Sequence, residues 1–319
     1  MKFYGINYIN DLCSLLNCTR KELFELIQNR QYTQFTIPKK KGGFRLIESP
    51  DEKLKKTQRG IADLLNEDYA NHRPKCVHGF VKHIFHVPST KNIGIISNAK
   101  NHVAKKYVLN IDLQDFFHSI TIVKVRNLFM GNIFKMERTS AEVLALLCTH
   151  NKKLTVGSPS SPVLSNFVLL NLDETLQQIA NINNLTYSRY ADDLTFSSNE
   201  IIQTETMSEI RMNIESNGFK LNPLKNRLKK NTQKQSVTGL KVNVKLNVDR
   251  KFKRKLRAIN HDIDCNGIAA ATKKYFKMKS EANKDDISKF VHAYNGLSNY
   301  YSLVVNNANQ KFEGYETMN

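Results

Sequence analysis

Residues 107–113, YVLNIDL, alternate with a period of two. Tyr107, Leu109, Ile111 and Leu113 fall on one face, and Val108, Asn110 and Asp112 on the other. That pattern predicts a strand with one buried face, ending at Asp112. Residues 11–30 place apolar side chains at 12, 15, 16, 23, 26 and 27, which predicts a helix. IPKKKGGFRLIESP (37–50) predicts a basic hairpin, with Gly42-Gly43 as its turn and Pro50 closing the second strand. A second amphipathic helix is expected over 52–70. Thr139 and Glu142 have the spacing of a capping box ahead of VLALLC. Ser161 and Pro162 suit the N-cap and first position of a helix running to about residue 180. YSRYADDLTFSS (187–198) predicts two short strands joined at Ala191-Asp192-Asp193. SVTGLKVNV (236–244) predicts another strand or strand pair, and from Lys251 the pattern is helical and strongly basic.

The chain has 319 residues and is 40% hydrophobic, which suits two or three packed subdomains. Its 48 Lys and Arg against 29 Asp and Glu leave a net charge of +19. So large an excess points to an anionic partner, nucleic acid before an anionic membrane, with a solvated surface as the bland alternative. Cys13, Cys18, Cys76, Cys148 and Cys265 are odd in number and form no CxxC pair. Free thiols in a reducing cytoplasm are expected, without a disulfide framework or zinc. The opening MKFYGINYIN has no sustained apolar stretch, and no window approaches ~18 uninterrupted apolar residues. Neither a leader nor a membrane partner is expected.

The adjacent carboxylates of Asp192 and Asp193 interrupt good strand formers. On a continuous strand they would point to opposite faces, whereas a tight hairpin tip aims both into one region. Aspartate is common in turns, and Asp112 is what changes the reading. Three carboxylates from two adjacent strands repel unless divalent cations neutralise them, and hard oxygen ligands suit magnesium. Two metals roughly 3.5–4 Å apart stabilise the attacking and leaving oxygens of a phosphoryl displacement. On a basic protein, the simplest substrate is a nucleotide joining a nucleic acid.

YADD between strands is similar to the Y-x-D-D motif of reverse transcriptases. LNIDLQDFFHSI (109–120), GSPSSPVLSN (157–166) and GFKLNPLKNR (218–227) resemble three further palm motifs of that family, in its order. SNAKNH (97–102) matches the N-A-x-x-H element of bacterial retron enzymes, and VTG (237–239) their second diagnostic motif. On these stretches the chain is identified as a member of the retron-type reverse transcriptases, at a length without room for maturase, endonuclease or RNase H domains. The resemblance implies an α+β right-hand fold: fingers over 1–105, a palm over 106–245 whose antiparallel sheet carries the aspartates, with fingers insertions around 125–160, and a small helical thumb over 246–319. It implies RNA-directed DNA synthesis from deoxynucleotides with two Mg2+ ions. The template would be a cognate structured non-coding RNA, primed from a guanosine 2′-OH to give branched RNA–DNA (msDNA). The setting would be anti-phage defence with a separate effector protein.

Carried over residue by residue, the family motifs make Asp112, Asp192 and Asp193 the catalytic and metal-binding set. Phe117 becomes the ring that excludes a ribose 2′-OH, with Phe116 as core. Arg45 becomes a triphosphate contact assisted by Lys39, Lys40 and Lys41, and Lys225 the proton donor to pyrophosphate. Gly157 lets backbone approach template or nucleotide. Val156 departs from the Gln the family commonly carries there. Asn98 and His102 are either RNA contacts or a buried polar pair. Val237, Thr238 and Gly239 either read RNA, through a hydroxyl and a close backbone approach, or end a strand. Lys251, Lys253, Arg254, Lys255 and Arg257 would grip phosphates. Phe290, Tyr294, Leu297 and Tyr301 would form thumb core. Two other functions fit the charge: an RNA-binding scaffold with secondary synthesis, and another bacterial defence reverse transcriptase, untemplated or protein-primed.

Overall fold

The computed structural model describes residues 3–39 and 42–309; Lys40 and Lys41 lie outside the described residues. The predicted first helix is two helices, α1 (Ile9–Leu16) and α2 (Arg20–Gln28). Asn17 takes a left-handed conformation (φ 50°) that ends α1. Thr19 and Glu22 then restart the chain with a reciprocal capping box. The hairpin forms as β1 (Tyr32–Pro38) and β2 (Phe44–Pro50), paired antiparallel from Tyr32↔Pro50 to Pro38↔Phe44. Gly42 and Gly43 supply its turn, both at positive φ. Next come α3 (Glu52–His72), capped by Asp51, a short α4 (Ile95–Lys100), and the predicted strand, β3 (Tyr107–Gln114).

After β3 run α5 (Ile122–Met130) and α6 (Arg138–Cys148). The cap of α6 differs from expectation. Glu137 is the N-cap, accepting from the amides of Thr139 and Ser140, while Glu142 pairs with Arg138 one turn on. The helix expected from 161 to 180 divides at Leu169 into α7 (Ser161–Val168) and α8 (Leu170–Ile182), with Ser160 as N-cap. Then follow β4 (Thr186–Tyr190), β5 (Asp193–Ser198), α9 (Thr204–Ser216), β6 (Lys220–Leu221) and β7 (Arg227–Lys230). A small hairpin, β8 (Ser236–Val237) and β9 (Leu240–Lys241), precedes two long helices, α10 (Arg250–Phe276) and α11 (Lys284–Asn309). Gly267 breaks α10 with φ 76° and ψ 167°, a conformation open essentially to glycine.

The central antiparallel sheet has the order β4-β5-β3, with β6 and β7 both pairing the far edge of β3. Its apolar face (Leu109, Ile111, Leu113, Leu194, Phe196, Tyr187) joins α3, α5, α6, α7 and α8 in one continuous core. A second cluster gathers Ala99 of α4, Val108, the β8–β9 hairpin and Val304 of α11. A third lies between α10 and α11, around Ile259, Ala271 and Phe290. Tyr294 and Leu297 pack there as expected, whereas Tyr301 belongs to the second cluster. Among the described residues no helix is long and apolar enough to cross a membrane.

Candidate active site

The polar face of β3 ends in Asp112, and β5 begins with Asp193, its direct register partner. Directly opposed residues of an antiparallel pair share a face, so these two carboxylates stand side by side. On the other edge of β3 the ladder is interrupted. β7 pairs residues 107–110, β6 pairs 113–114, and the loop 222–226 spans the gap. That loop wraps Asp112. The Asn222 amide donates to the Asp112 carbonyl at 2.8 Å, and the Asp112 amide donates to Asn226 Oδ1 at 3.3 Å. The carboxylate accepts from Lys225 Nζ at 2.6 Å and Asn222 Nδ2 at 3.3 Å. Asp112 is buried while Lys225 is half exposed, so the ammonium caps the carboxylate from the solvent side.

Asp192 lies in the β4–β5 turn. Ala191 before it has φ 58°, left-handed, which lets this short connection close. The Asp192 carbonyl accepts from the Leu113 amide, tying the turn to β3. Burial, reinforced by the Asp112 charge, raises the Asp192 pKa, while Lys225 and Arg45 pull the other way. Burial opposes the charge on Lys225, but the hydrogen bond and charge of Asp112, then Asp192 and Asp193, outweigh it and raise the Lys225 pKa. Asp192 is therefore short of positive charge, and Lys225 supplies part of it. The donor set is hard oxygen and suits a divalent cation. Among the described residues no three His, Cys, Asp or Glu side chains stand close enough to hold a metal together as they are. A cation shared by the three aspartates would have to displace Lys225 from Asp112.

Phe117, five residues after Asp112, is half-buried, and Phe116 is core as expected. Arg45 projects from β2 opposite Ile37, exposed, and its charge reaches Asp192. Lys39 is exposed beside the hairpin turn. Gly157 takes φ 128°. A Cβ there would lie 2.7 Å from the Glu48 carbonyl of β2, so the close backbone contact is with the hairpin that carries Arg45. Val156 contributes its carbonyl, which accepts from the Glu48 amide at 2.8 Å. Glu48 in turn is buried and accepts from His118 Nε2 at 3.1 Å, next to Phe117.

Sequence reasoning missed a buried network beneath the β4–β5 turn. Arg189 of β4 is fully buried and pairs with the equally buried Asp173 of α8, at 2.6 Å from Nη2 to Oδ2. Its Nη1 donates to the Ala191 carbonyl at 3.2 Å and to Asn166 Oδ1 at 3.0 Å. Asn166 Nδ2 donates to the carbonyls of Gly79 and Phe80. An Arg immediately before Y-x-D-D was the available signal, but its partners are distant in sequence.

Of the two readings of the N-A-x-x-H element, the structure agrees with the buried one. His102 is fully buried and bridges β4 and β5, with Nε2 2.7 Å from Ser188 Oγ and Nδ1 2.7 Å from Ser197 Oγ. Burial pushes its pKa down to about 3, so the ring is neutral, donating to one serine and accepting from the other. Asn98 is buried beside it in α4. Neither side chain can touch RNA as it stands. Val237 is core, and the Thr238 hydroxyl donates to the Ile95 carbonyl of α4 at 2.9 Å. Thr238 and Gly239 form the β8–β9 turn, both at positive φ. The two short motifs therefore meet: VTG sits on the helix that carries Asn98. Gly239 has open space around it. Lys251, Arg254, Lys255 and Arg257 of α10 are exposed, whereas Lys253 is half-buried with Nζ 5.9 Å from the Tyr301 ring centre.

The family model of reverse transcriptase (RNA-dependent DNA polymerase) matches residues 37–242. The retron Mx65 reverse transcriptase of Myxococcus xanthus is 34% identical over 73% of this chain and 56% of its own length. The retron Ec86 reverse transcriptase of Escherichia coli is 31% identical over 82% of this chain and 80% of its own. The chain thus spans about half the length of the first relative and most of the second. Among solved structures, telomerase from Candida albicans, in complex with a fragment of telomeric RNA, aligns at TM-score 0.51 and 9% identity. That alignment covers 91% of this chain and 62% of the telomerase, a likeness of fold alone.

Proposed function

We propose that this chain, which belongs to the reverse transcriptase family and to its retron members, copies part of a cognate structured RNA into DNA. The single observation that carries the reading is the pairing of Asp112 with Asp193 beside the strapped Asp192 turn, with Lys225 and the Arg45 charge facing it. Asp112, Asp192 and Asp193 would hold two Mg2+ ions, which when bound lower the pKa of a primer hydroxyl and neutralise the triphosphate. The chain's own groups do the rest. Arg45 can take the triphosphate through its planar fork. The primer hydroxyl would lose its proton to solvent, and its oxygen bonds to the α-phosphorus as the bond from that phosphorus to the bridging β-phosphate oxygen breaks. Lys225, charged and released from Asp112, gives its proton to the departing pyrophosphate. Phe117 would be the ring that excludes a ribose 2′-OH.

The first primer would be the 2′-OH of a guanosine in the same RNA, giving msDNA, and the setting anti-phage defence beside a separate effector protein. The exposed basic residues of α10 suit phosphate contacts without sequence choice. Two measurements test the reading together. Asp192→Asn with Asp193→Asn should abolish primer extension while RNA gel shifts persist, and retained extension would remove the catalytic assignment. Sequencing nucleic acid that copurifies with the wild type should return branched RNA–DNA of fixed sequence. RNA alone would favour a scaffold, and DNA of random sequence an untemplated polymerase.

A further inference from the structure

Phe117 touches two rings. Phe116 is 5.3 Å away between ring centres and is itself packed on Phe219 in the core. Phe80 is 5.8 Å away and tilted by only 30°, an offset stack. Phe80 comes from a distant part of the chain and has no core role comparable to that of Phe116. Its backbone is strained, with φ 56°, a left-handed conformation that a bulky residue rarely adopts. A buried tether holds it there. Asn166 Nδ2 donates to both the Gly79 and Phe80 carbonyls, at 3.1 and 3.2 Å. Asn166 is itself fixed by Arg189, whose other partner is Asp173. Gly79 lies flat on the catalytic turn: a Cβ there would stand 2.2 Å from the Ala191 amide nitrogen.

We propose that Phe80 is the second half of the sugar gate, with Asn166 as its positioning residue. Resting on the reading that Phe117 excludes ribonucleotides, the inference says why Phe117 can do so. A ring that touches only Phe116 can turn about χ1 and yield to a 2′-OH, whereas one that also stacks on Phe80 is held in place. The strap from Gly79 to Phe80 also sets the gate against the turn that carries Asp192, since Arg189 contacts both Asn166 and the Ala191 carbonyl. Sugar choice and carboxylate placement are thereby built on one scaffold.

The test measures ribonucleotide against deoxynucleotide incorporation efficiency for Phe117→Ala, Phe80→Ala, their double variant, Phe80→Leu, Phe80→Tyr and Asn166→Asp. Phe80→Ala should raise relative ribonucleotide use on the order of two- to tenfold, the size of an aromatic pair. Phe80→Tyr should restore discrimination. The double variant should be no more permissive than Phe117→Ala alone, because the two rings act as one unit. Asn166→Asp keeps an acceptor for Arg189 but loses the donor to the strap, and should shift the ratio the same way. Should Phe80→Ala not fold, Phe80→Leu keeps bulk without the flat ring face and carries the same expectation. If Phe117→Ala changes the ratio while the Phe80 and Asn166 variants leave it at the wild-type value, the inference is overturned and the gate at Phe117 stands. If Phe117→Ala itself leaves the ratio unchanged, both fall.

Discussion

His102 shows how a residue in a short motif can serve the sheet and not the ligand. It is neutral, buried and bonded to two serines. His78, nearby, is likewise buried, with Nδ1 on Ser97 and Nε2 accepting from Asn101, and its pKa is pushed down to about 4. Both folded pKa values lie below the ordinary value of about 6.5. The unfolded chain therefore binds more protons between them. The stability each ring contributes is complete above about pH 6.5 and falls by about 1.4 kcal/mol per pH unit as acid is added, down to about pH 4 for His78 and about pH 3 for His102. Denaturant melts from pH 7.5 to 5 should show this slope, and His102→Gln should flatten it while lowering stability at pH 7.5. At Thr238 the hydroxyl is spent on a backbone carbonyl. Thr238→Val should therefore cost about 1 kcal/mol and lower cognate-primed and generic primer extension together. Selective loss of the cognate reaction would return the hydroxyl to RNA recognition.

At the scale of elements, the Arg189–Asp173 pair ties β4 to α8 directly beneath the β4–β5 turn. The Tyr187 hydroxyl also donates to Asp173. Asp173→Ala would leave Arg189 buried without its countercharge, a loss on the order of 3–5 kcal/mol. A fall in the melting midpoint of that size, with misfolding on overexpression, is the expected result; a loss under 1 kcal/mol would mean water reaches Arg189. This pair was not legible beforehand, whereas β3 was. Alternation along residues 107–113 is a local signal that the pleat enforces, and the register Asp112↔Asp193 follows once β3 and β5 pair. Arg189 and Asp173 are 16 positions apart on a strand and a helix, and no periodicity links them. The division of α1 from α2 was legible in principle, since Thr19 and Glu22 have capping-box spacing, but the apolar period runs through it. The wrap of Asp112 by the loop 222–226 was half legible: Lys225 stood out by motif. Asn222 and Asn226 emerge only when β6 and β7 are seen to share one edge of β3.

Across the whole molecule, the net charge of +19 sets how strongly any nucleic acid is drawn in, and α10 concentrates part of it. Lys251, Arg254 and Arg257 are exposed, while Lys253 rests near Tyr301 at the junction with α11. Replacing these three residues together by Ala should weaken RNA binding of every sequence alike. The slope of log affinity against log salt should fall by about one unit per lost phosphate contact. Lys253→Ala should change that slope much less and stability more. Equal slopes for the triple variant and the wild type would place the electrostatic footprint elsewhere on the surface.

The meeting of α4 with the β8–β9 hairpin carries a consequence for exchange between relatives. Ala99, Val237, Leu240 and Val242 share one cluster, and Thr238 is pinned to Ile95. Tyr300 and Tyr301 of α11 pack on the same cluster, and Lys100 Nζ donates to Asn307 Oδ1 at 2.9 Å. The α4 segment lies more than a hundred residues from the other two in the chain, yet all three fit as one moulded joint. A chimera that imports residues 95–102 from another member of the family should therefore inherit a mismatched seam, with lower soluble yield and melting temperature. Importing 236–248 from the same donor as well should recover both, so that the two stretches transplant as a pair. Full recovery from the first segment alone would show that the joint tolerates mixed parentage.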